Sequence, residues 1–229
     1  MSCEVIQMNE NTWRMEDQGV RFFLLTGAER ALLIDSGRTV RNAREIAREL
    51  TALPLFLLNT HTDPDHIGSN GEFEEMYMHP AEESFYRRRG GTGTIRPIRE
   101  GDSLDLGGRT LEFIDLPGHS PGSIAVLDAA RRALISGDPV QDGRVFMFGE
   151  HRNLENYIAS LEHLETFRDR FDELWPSHGT IPLSPAWIGK LHDAAGRLLR
   201  GELTGKSVEV HGQSVVEYDL GFASFLFDR

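Results

Sequence analysis

Residues 59–70 read NTHTDPDHIGSN, and the six positions from 61 to 66 hold His61, Asp63, Asp65 and His66. Imidazole nitrogens and carboxylate oxygens are the ordinary donors for a divalent cation of the zinc or first-row transition type. Three more donors stand singly further on. They are His119 in Pro117-Gly118-His119-Ser120, Asp138 in Ser136-Gly137-Asp138 and His178 in Pro176-Ser177-His178-Gly179. A lone loop histidine is usually only solvated, and the short 61–66 run by itself could be an acidic surface turn. The ordered set of four clusters points instead to a metal centre, a kind of site at which bound water can be activated.

Donors that converge need rigid elements behind them. An apolar run precedes each cluster: 55–58 (LFLL) before His61, 110–115 (TLEFID) before His119, 132–136 (RALIS) before Asp138, and 171–175 (FDELW) before Pro176. Short apolar runs of this kind read as buried strands whose ends deliver polar loops. Further strands are predicted at 20–26 and 31–35, joined by a tight turn at 27–30, and at 123–128. A helix is predicted over 39–50, with Val40, Ala43, Ala47 and Leu50 on one face. A second covers 153–168, with Leu154, Ile158, Leu161 and Leu164 inward, and a third lies near 185–200. Two strand-like runs follow, 207–210 and 214–227. The class is α/β with several antiparallel pairs.

The chain has 229 residues and a formal net charge of -12. An acidic average repels phosphate backbones, so a small-molecule substrate is expected rather than nucleic acid. The single cysteine, Cys3, permits no intrachain disulfide. The N-terminal residues lack the basic and apolar parts of a secretory signal, and no run approaches a membrane span. The expectation is a cytoplasmic protein that does not enter a membrane.

From about Val20 to about Gly179 the chain resembles the metallo-β-lactamase-fold hydrolases. His61, Asp65 and His66 match that family's first metal motif, His-x-His-x-Asp-His. His119, Asp138 and His178 match its later positions, and Leu33-Ile34-Asp35-Ser36-Gly37 resembles a segment beneath its site. The resemblance implies a four-layer αββα sandwich over a single domain, 1–229, with 184–229 a helix-plus-strand extension. It implies two divalent metal ions, zinc first. One would sit on His61, Asp63 and His119, the other on Asp65, His66 and His178, with Asp138 bridging. Asp65 would also orient the nucleophile, and Asp35 would support a ligand histidine. Asp63 departs from the pattern, which has histidine there. Two ions carry +4, while three aspartates and a bridging hydroxide carry −4, so the centre would be neutral where the histidine version keeps +1. The added oxygen donor makes iron or manganese plausible beside zinc. Flavodiiron proteins place a carboxylate at the same position.

The expected reaction is hydrolysis of a small ester, thioester or lactone. Rival readings are a di-iron oxidoreductase and a non-catalytic binding module. The core resembles glyoxalase II and the acyl-homoserine lactonases, but Val140-Gln141 follow Asp138 where the lactonases would bring a tyrosine. Around the site, 145–149 (VFMFG) reads either as an apolar pocket wall or as core. Arg152 and Tyr157 can contact substrate, although solvated helix positions are favoured for both. Residues 84–99 (SFYRRRGGTGTIRPIR) form a basic patch, read as a helix end and loop in preference to a lid. His79, His163, His192 and His211 have no partner at ligand spacing and read as surface or core residues, while His151 lies close to the 145–149 run, although a lone histidine is seldom a ligand. Leu220, Phe222, Phe225 and Phe227 can cover the sandwich edge or make a homodimer contact.

Overall fold

The continuous apolar runs become inner strands of two facing sheets. In the computed structural model, which describes residues 3–228, the first sheet follows chain order. Its strands are β1 (Glu4–Asn9), β2 (Thr12–Asp17), β3 (Val20–Thr26), β4 (Ala31–Ile34), β5 (Leu55–Leu58), β6 (Glu75–Met78) and β7 (Thr94–Pro97). Strands β1 to β4 are antiparallel and β4 to β7 parallel. The second sheet uses β8 (Ser103–Asp105), β9 (Thr110–Asp115), β10 (Ile124–Asp128), β11 (Ala133–Gly137) and β13 (Glu173–Pro176), ordered β13-β11-β10-β9-β8. A third sheet, β12-β16-β15-β14, joins β12 (Arg144–Met147) to the C-terminal strands β14 (Lys206–Val210), β15 (Gln213–Asp219) and β16 (Ser224–Phe227).

Three apolar layers separate four structural ones. Phe23, Leu32 and Ile34 meet Phe113, Val126 and Trp175 between the two large sheets. On the outer face of the first sheet, Val40, Ala43 and Ala47 of the α1 region (helix Ala43–Leu50) and Tyr86 of α2 (Glu83–Arg88) pack on Leu24, Leu33 and Leu57. On the outer face of the second, α3 (Leu154–Glu165) and α4 (Ala186–Leu199) bury Tyr157, Leu161, Leu164, Leu191 and Leu198. The expected αββα sandwich is the fold found.

Helix α1 begins four residues later than the 39–50 pattern suggests. Asp17 draws the backbone N–H groups of Arg38, Thr39 and Val40 onto one carboxylate oxygen, which holds that stretch as a loop. The 214–227 run is two strands, broken at Gly221 with φ of 75°. Strands β1, β2, β6, β7 and β8 carry no apolar run strong enough to be predicted. Phe225 is fully buried, and Tyr218 and Val145 join it in the α3–α4 core, so the C-terminal strands cover the sandwich edge. Residues 84–99 form most of α2, a loop and the edge strand β7. No helix among the described residues is long and apolar enough to cross a membrane.

Candidate metal centre

Pairing directions explain why distant donors meet. Strand β10 is antiparallel to both β9 and β11, and β13 is parallel to β11. Strands β9, β11 and β13 therefore point the same way, and the loops after them carry His119, Asp138 and His178. In the first sheet, parallel β4 and β5 end at Asp35 and at Asn59-Thr60-His61. The two sets of strand ends share one edge of the sandwich. Gly118 makes the approach possible: a Cβ there would lie 2.4 Å from the Tyr157 backbone, and its φ is 134°.

Donor atoms of His61, His119 and Asp138 all lie within 4.8 Å of one another, as do those of Asp65, His66 and His178. Asp138 joins the groups. Its Oδ1 is 3.2 Å from His66 Nε2, and its Oδ2 is 3.4 Å from both His119 Nε2 and His178 Nε2. Asp63 Oδ2 is 3.6 Å from His61 Nε2 and 3.4 Å from His119 Nε2. All seven sequence candidates thus stand in one cluster.

Each imidazole is oriented from behind. His66 Nδ1 donates to Asp35 Oδ2 at 2.8 Å, His119 Nδ1 to the Phe146 carbonyl at 3.1 Å, and His178 Nδ1 to the Gly19 carbonyl at 2.6 Å. The Thr60 hydroxyl donates to Asp35, so it accepts from His61 Nδ1 at 3.1 Å. All four rings turn Nε2 toward the centre, the arrangement that metal-ligating histidines adopt. Nε2 of His61, His66 and His119 and Oδ1 of Asp138 are buried without a hydrogen-bond partner. Orphaned polar atoms are costly one at a time, and four facing one space fit a donor set for cations. The residues present match the metal the resemblance implies.

The protein's own charges leave the cluster strongly perturbed. Burial alone would raise the Asp138 carboxyl, but the charges of His178 and His66 hold it well below the usual range. Burial opposes ionisation of Asp65 too, yet hydrogen bonding to His178 brings it to about 2. For His178, desolvation is outweighed by Asp138, and the ring is pushed up to about 10. His66 is raised well above an ordinary imidazole, against burial, by Asp138 and Asp35. His119 goes the other way, to about 4, through burial and the charge of Arg152. Such clustered shifts are typical of functional sites.

Several positions overturn the sequence expectation. Arg152 is no solvated helix residue: its Nη2 donates to Asp63 Oδ2 in a very short bond, while Arg89 Nη2 reaches Asp63 Oδ1 at 3.5 Å. Tyr157 is fully buried and donates to the Pro139 carbonyl at 2.7 Å. His211 is an exposed surface residue, as expected, and it also lines the cleft. The 145–149 run serves both of its suggested uses, with Phe146 and Phe148 on the cleft and Val145 and Met147 buried. His79, His163 and His192 are engaged locally: His79 accepts from the Ala81 amide, while His163 and His192 bond Glu100 and Glu162.

Two positioning residues escaped prediction. Buried Glu82 accepts from the Thr62 amide and hydroxyl, the Ser120 hydroxyl and the Gly122 amide, tying the loops that carry His61 and His119. Arg21 donates to the carbonyls of Pro176 and Gly179, bracketing His178. Neither stands in a recognisable motif, because both act across long stretches of chain.

Comparison with known proteins agrees with this geometry. A family model for the metallo-beta-lactamase superfamily matches residues 17–178. The acyl-coenzyme A thioesterase MBLAC2 of Gallus gallus is 30% identical over 196 residues, covering 68% of this chain and 71% of that protein. An atrochrysone carboxyl ACP thioesterase of Aspergillus novofumigatus is 25% identical over 203 residues, covering 86% of this chain and 58% of that protein. Among solved structures, a metallo-beta-lactamase from Pontibacter korlensis superimposes with a TM-score of 0.74 at 16% identity, over 85% of this chain and 99% of that one. With the family model spanning most of the chain and the donor cluster in place, the chain belongs to the metallo-beta-lactamase superfamily, as one of its metal-dependent hydrolases.

Proposed function

We propose that the chain hydrolyses small thioesters, with esters and lactones as chemically related substrates, using two divalent ions, zinc first. The observation that carries this is the pair of donor groups meeting at Asp138, with three imidazole Nε2 atoms unpaired. The thioester preference draws on the relatives, which are named as thioesterases of acyl-coenzyme A and of an acyl carrier protein. His61, Asp63 and His119 would hold one ion and Asp65, His66 and His178 the other, with Asp138 between them. Bound there, the ions would supply Lewis acidity, making water nucleophilic near neutral pH and offsetting charge on the carbonyl oxygen.

The chain's own groups do the rest. Asp65 lines the cleft and is ionised, so it can take the proton of the attacking water. Attack at the thioester carbon and cleavage of the C–S bond give a carboxylic acid and a thiol, and Asp65 can return the proton to sulfur. Arg152 alters the charge ledger of the centre. Its +1 beside Asp63 moves the neutral total back to +1, the value of the histidine version, so the Asp63 departure is compensated within the site.

Elemental analysis of protein purified without chelators, followed by a panel of thioesters, esters and lactones, tests the reading. Two zinc ions per chain and thioester cleavage are expected. Iron as the main metal would turn the reading toward a di-iron oxidoreductase. Failure to take up any metal on reconstitution would overturn it.

A further inference from the structure

The cleft over the donor cluster has a volume of about 650 Å³. Beyond the candidate metal donors, part of its wall comes from β12, the residue after its end and the β14–β15 turn, which contribute Phe146, Phe148 and His211. The His211 ring lies nearly parallel to that of Phe146, with centroids 5.8 Å apart and planes at 19°. Val210 pairs with Gln213, so the turn has two residues, and both have positive φ, 51° at His211 and 75° at Gly212. Two-residue turns of this kind favour asparagine before the glycine. A histidine in that left-handed position accepts backbone strain and sets a flat ring on the rim of the cleft, as functional positions often do.

The same cleft is lined by Arg38, Arg89 and Arg144. Arg38 has an exposed side chain with no ion pair or side-chain hydrogen bond among the described residues. Among the described residues the Arg89 side chain makes only the long contact to Asp63, and Arg144 shares Glu217 with Lys206. In a chain of net charge -12, this is a local reversal of sign at the mouth of the site. Guanidinium forks match phosphate oxygens, clustered positive charge draws anions from solution, and a flat aromatic face suits a stacked ring.

We propose that this outer wall binds the carrier end of the substrate, a phosphorylated purine nucleotide. The base lies on the His211–Phe146 face and the phosphates meet Arg38 and Arg89. The inference rests on the thioester reading for its chemistry, but the recognition surface stands on the cleft alone. It makes the carrier, rather than the acyl group, the part of the substrate that this wall selects.

Two measurements separate the claims. The first is calorimetric binding of adenosine 3′,5′-bisphosphate to the metal-loaded protein and to Arg38→Gln and His211→Ala. Binding by the wild type is expected, weaker by roughly tenfold in each variant, the size of one lost stacking or charge contact. The second compares kcat/KM for an acyl-coenzyme A with that for the N-acetylcysteamine thioester of the same acyl group, which lacks the nucleotide. The wild-type preference for the coenzyme A ester is expected to shrink in both variants. Absence of bisphosphate binding, or equal binding by all three proteins, overturns the proposal. If neither thioester is cleaved, the reaction reading fails, while the bisphosphate result still decides the wall.

Discussion

Replacing Arg152 by glutamine removes a positive charge bonded to the carboxylate oxygen that faces His61 and His119. In a site of effective dielectric about 20, a unit charge and a divalent ion about 5 Å apart repel by roughly 7 kcal/mol. Arg152 and Asp63 are both mostly shielded, with 11% and 18% of their side chains exposed, so some screening applies. Retaining a third of the repulsion leaves about 2 kcal/mol, or roughly a thirtyfold change in affinity. Arg152→Gln should therefore bind the first ion more tightly than wild type, since the ion gains an undivided carboxylate and loses a neighbouring charge. Asp63→His alone should weaken that ion, because Arg152 then has no partner, and the double variant should recover much of the loss. Competition with a chromophoric chelator on stripped protein resolves the two affinities. The second ion, proposed for Asp65, His66 and His178, serves as the internal control. Weaker first-ion binding in Arg152→Gln would refute the electrostatic reasoning and show that the arginine holds Asp63 in place for the metal.

Metal uptake should release protons, because His178 titrates at about 10 and His66 is also raised. Affinity should fall as pH falls, and calorimetry in buffers of different ionisation enthalpy should show the release. The sign for stability follows from the same ring. Its folded pKa lies above the ordinary value of about 6.5, so its contribution to the stripped protein is complete below that pH and is lost as pH rises toward 10. Thermal melts of stripped protein should decline over that window. Asp35→Ala should weaken metal binding by about 10–100-fold, as expected when a ligand histidine loses its support, and the chelator assay would show it. Replacing buried Arg109 by methionine leaves Asp128 unpaired, and a loss of about 3–5 kcal/mol is expected in urea unfolding.

The donors were legible in the sequence because each follows an apolar strand and stands in a short polar turn. Their order along the chain suggested one centre, and the resemblance to the family's motif supplied the grouping within it. Asp35 was legible too, since it closes the run Leu33-Ile34 that precedes the site. What could not be read depends on pairing between distant segments. Arg152 looks like any residue before a helix, and only the fold brings it to Asp63, eighty-nine positions earlier. Glu82 resembles its solvated neighbour Glu83 until the loops of Thr62 and Ser120 close over it. Strand β1 is largely exposed, so its sequence EVIQMN shows little of the alternation that marks a half-buried strand. His211 was passed over because no ligand spacing surrounds it, and its place on the rim comes from the hairpin turn.

Strand β12 supplies the carbonyl that aims His119, and its parallel neighbour is β16, with Val145 against Phe225 and Phe146 against Leu226. A ribosome makes β12 long before it makes β16. While the nascent chain emerges, the strand that steadies His119 therefore waits for a companion 80 residues further on, although His61, Asp63, Asp65 and His66 have long been exposed. All seven candidate donors, His178 included, are therefore made before β16, and its pairing with β12 is the later event that fixes the carbonyl aiming His119.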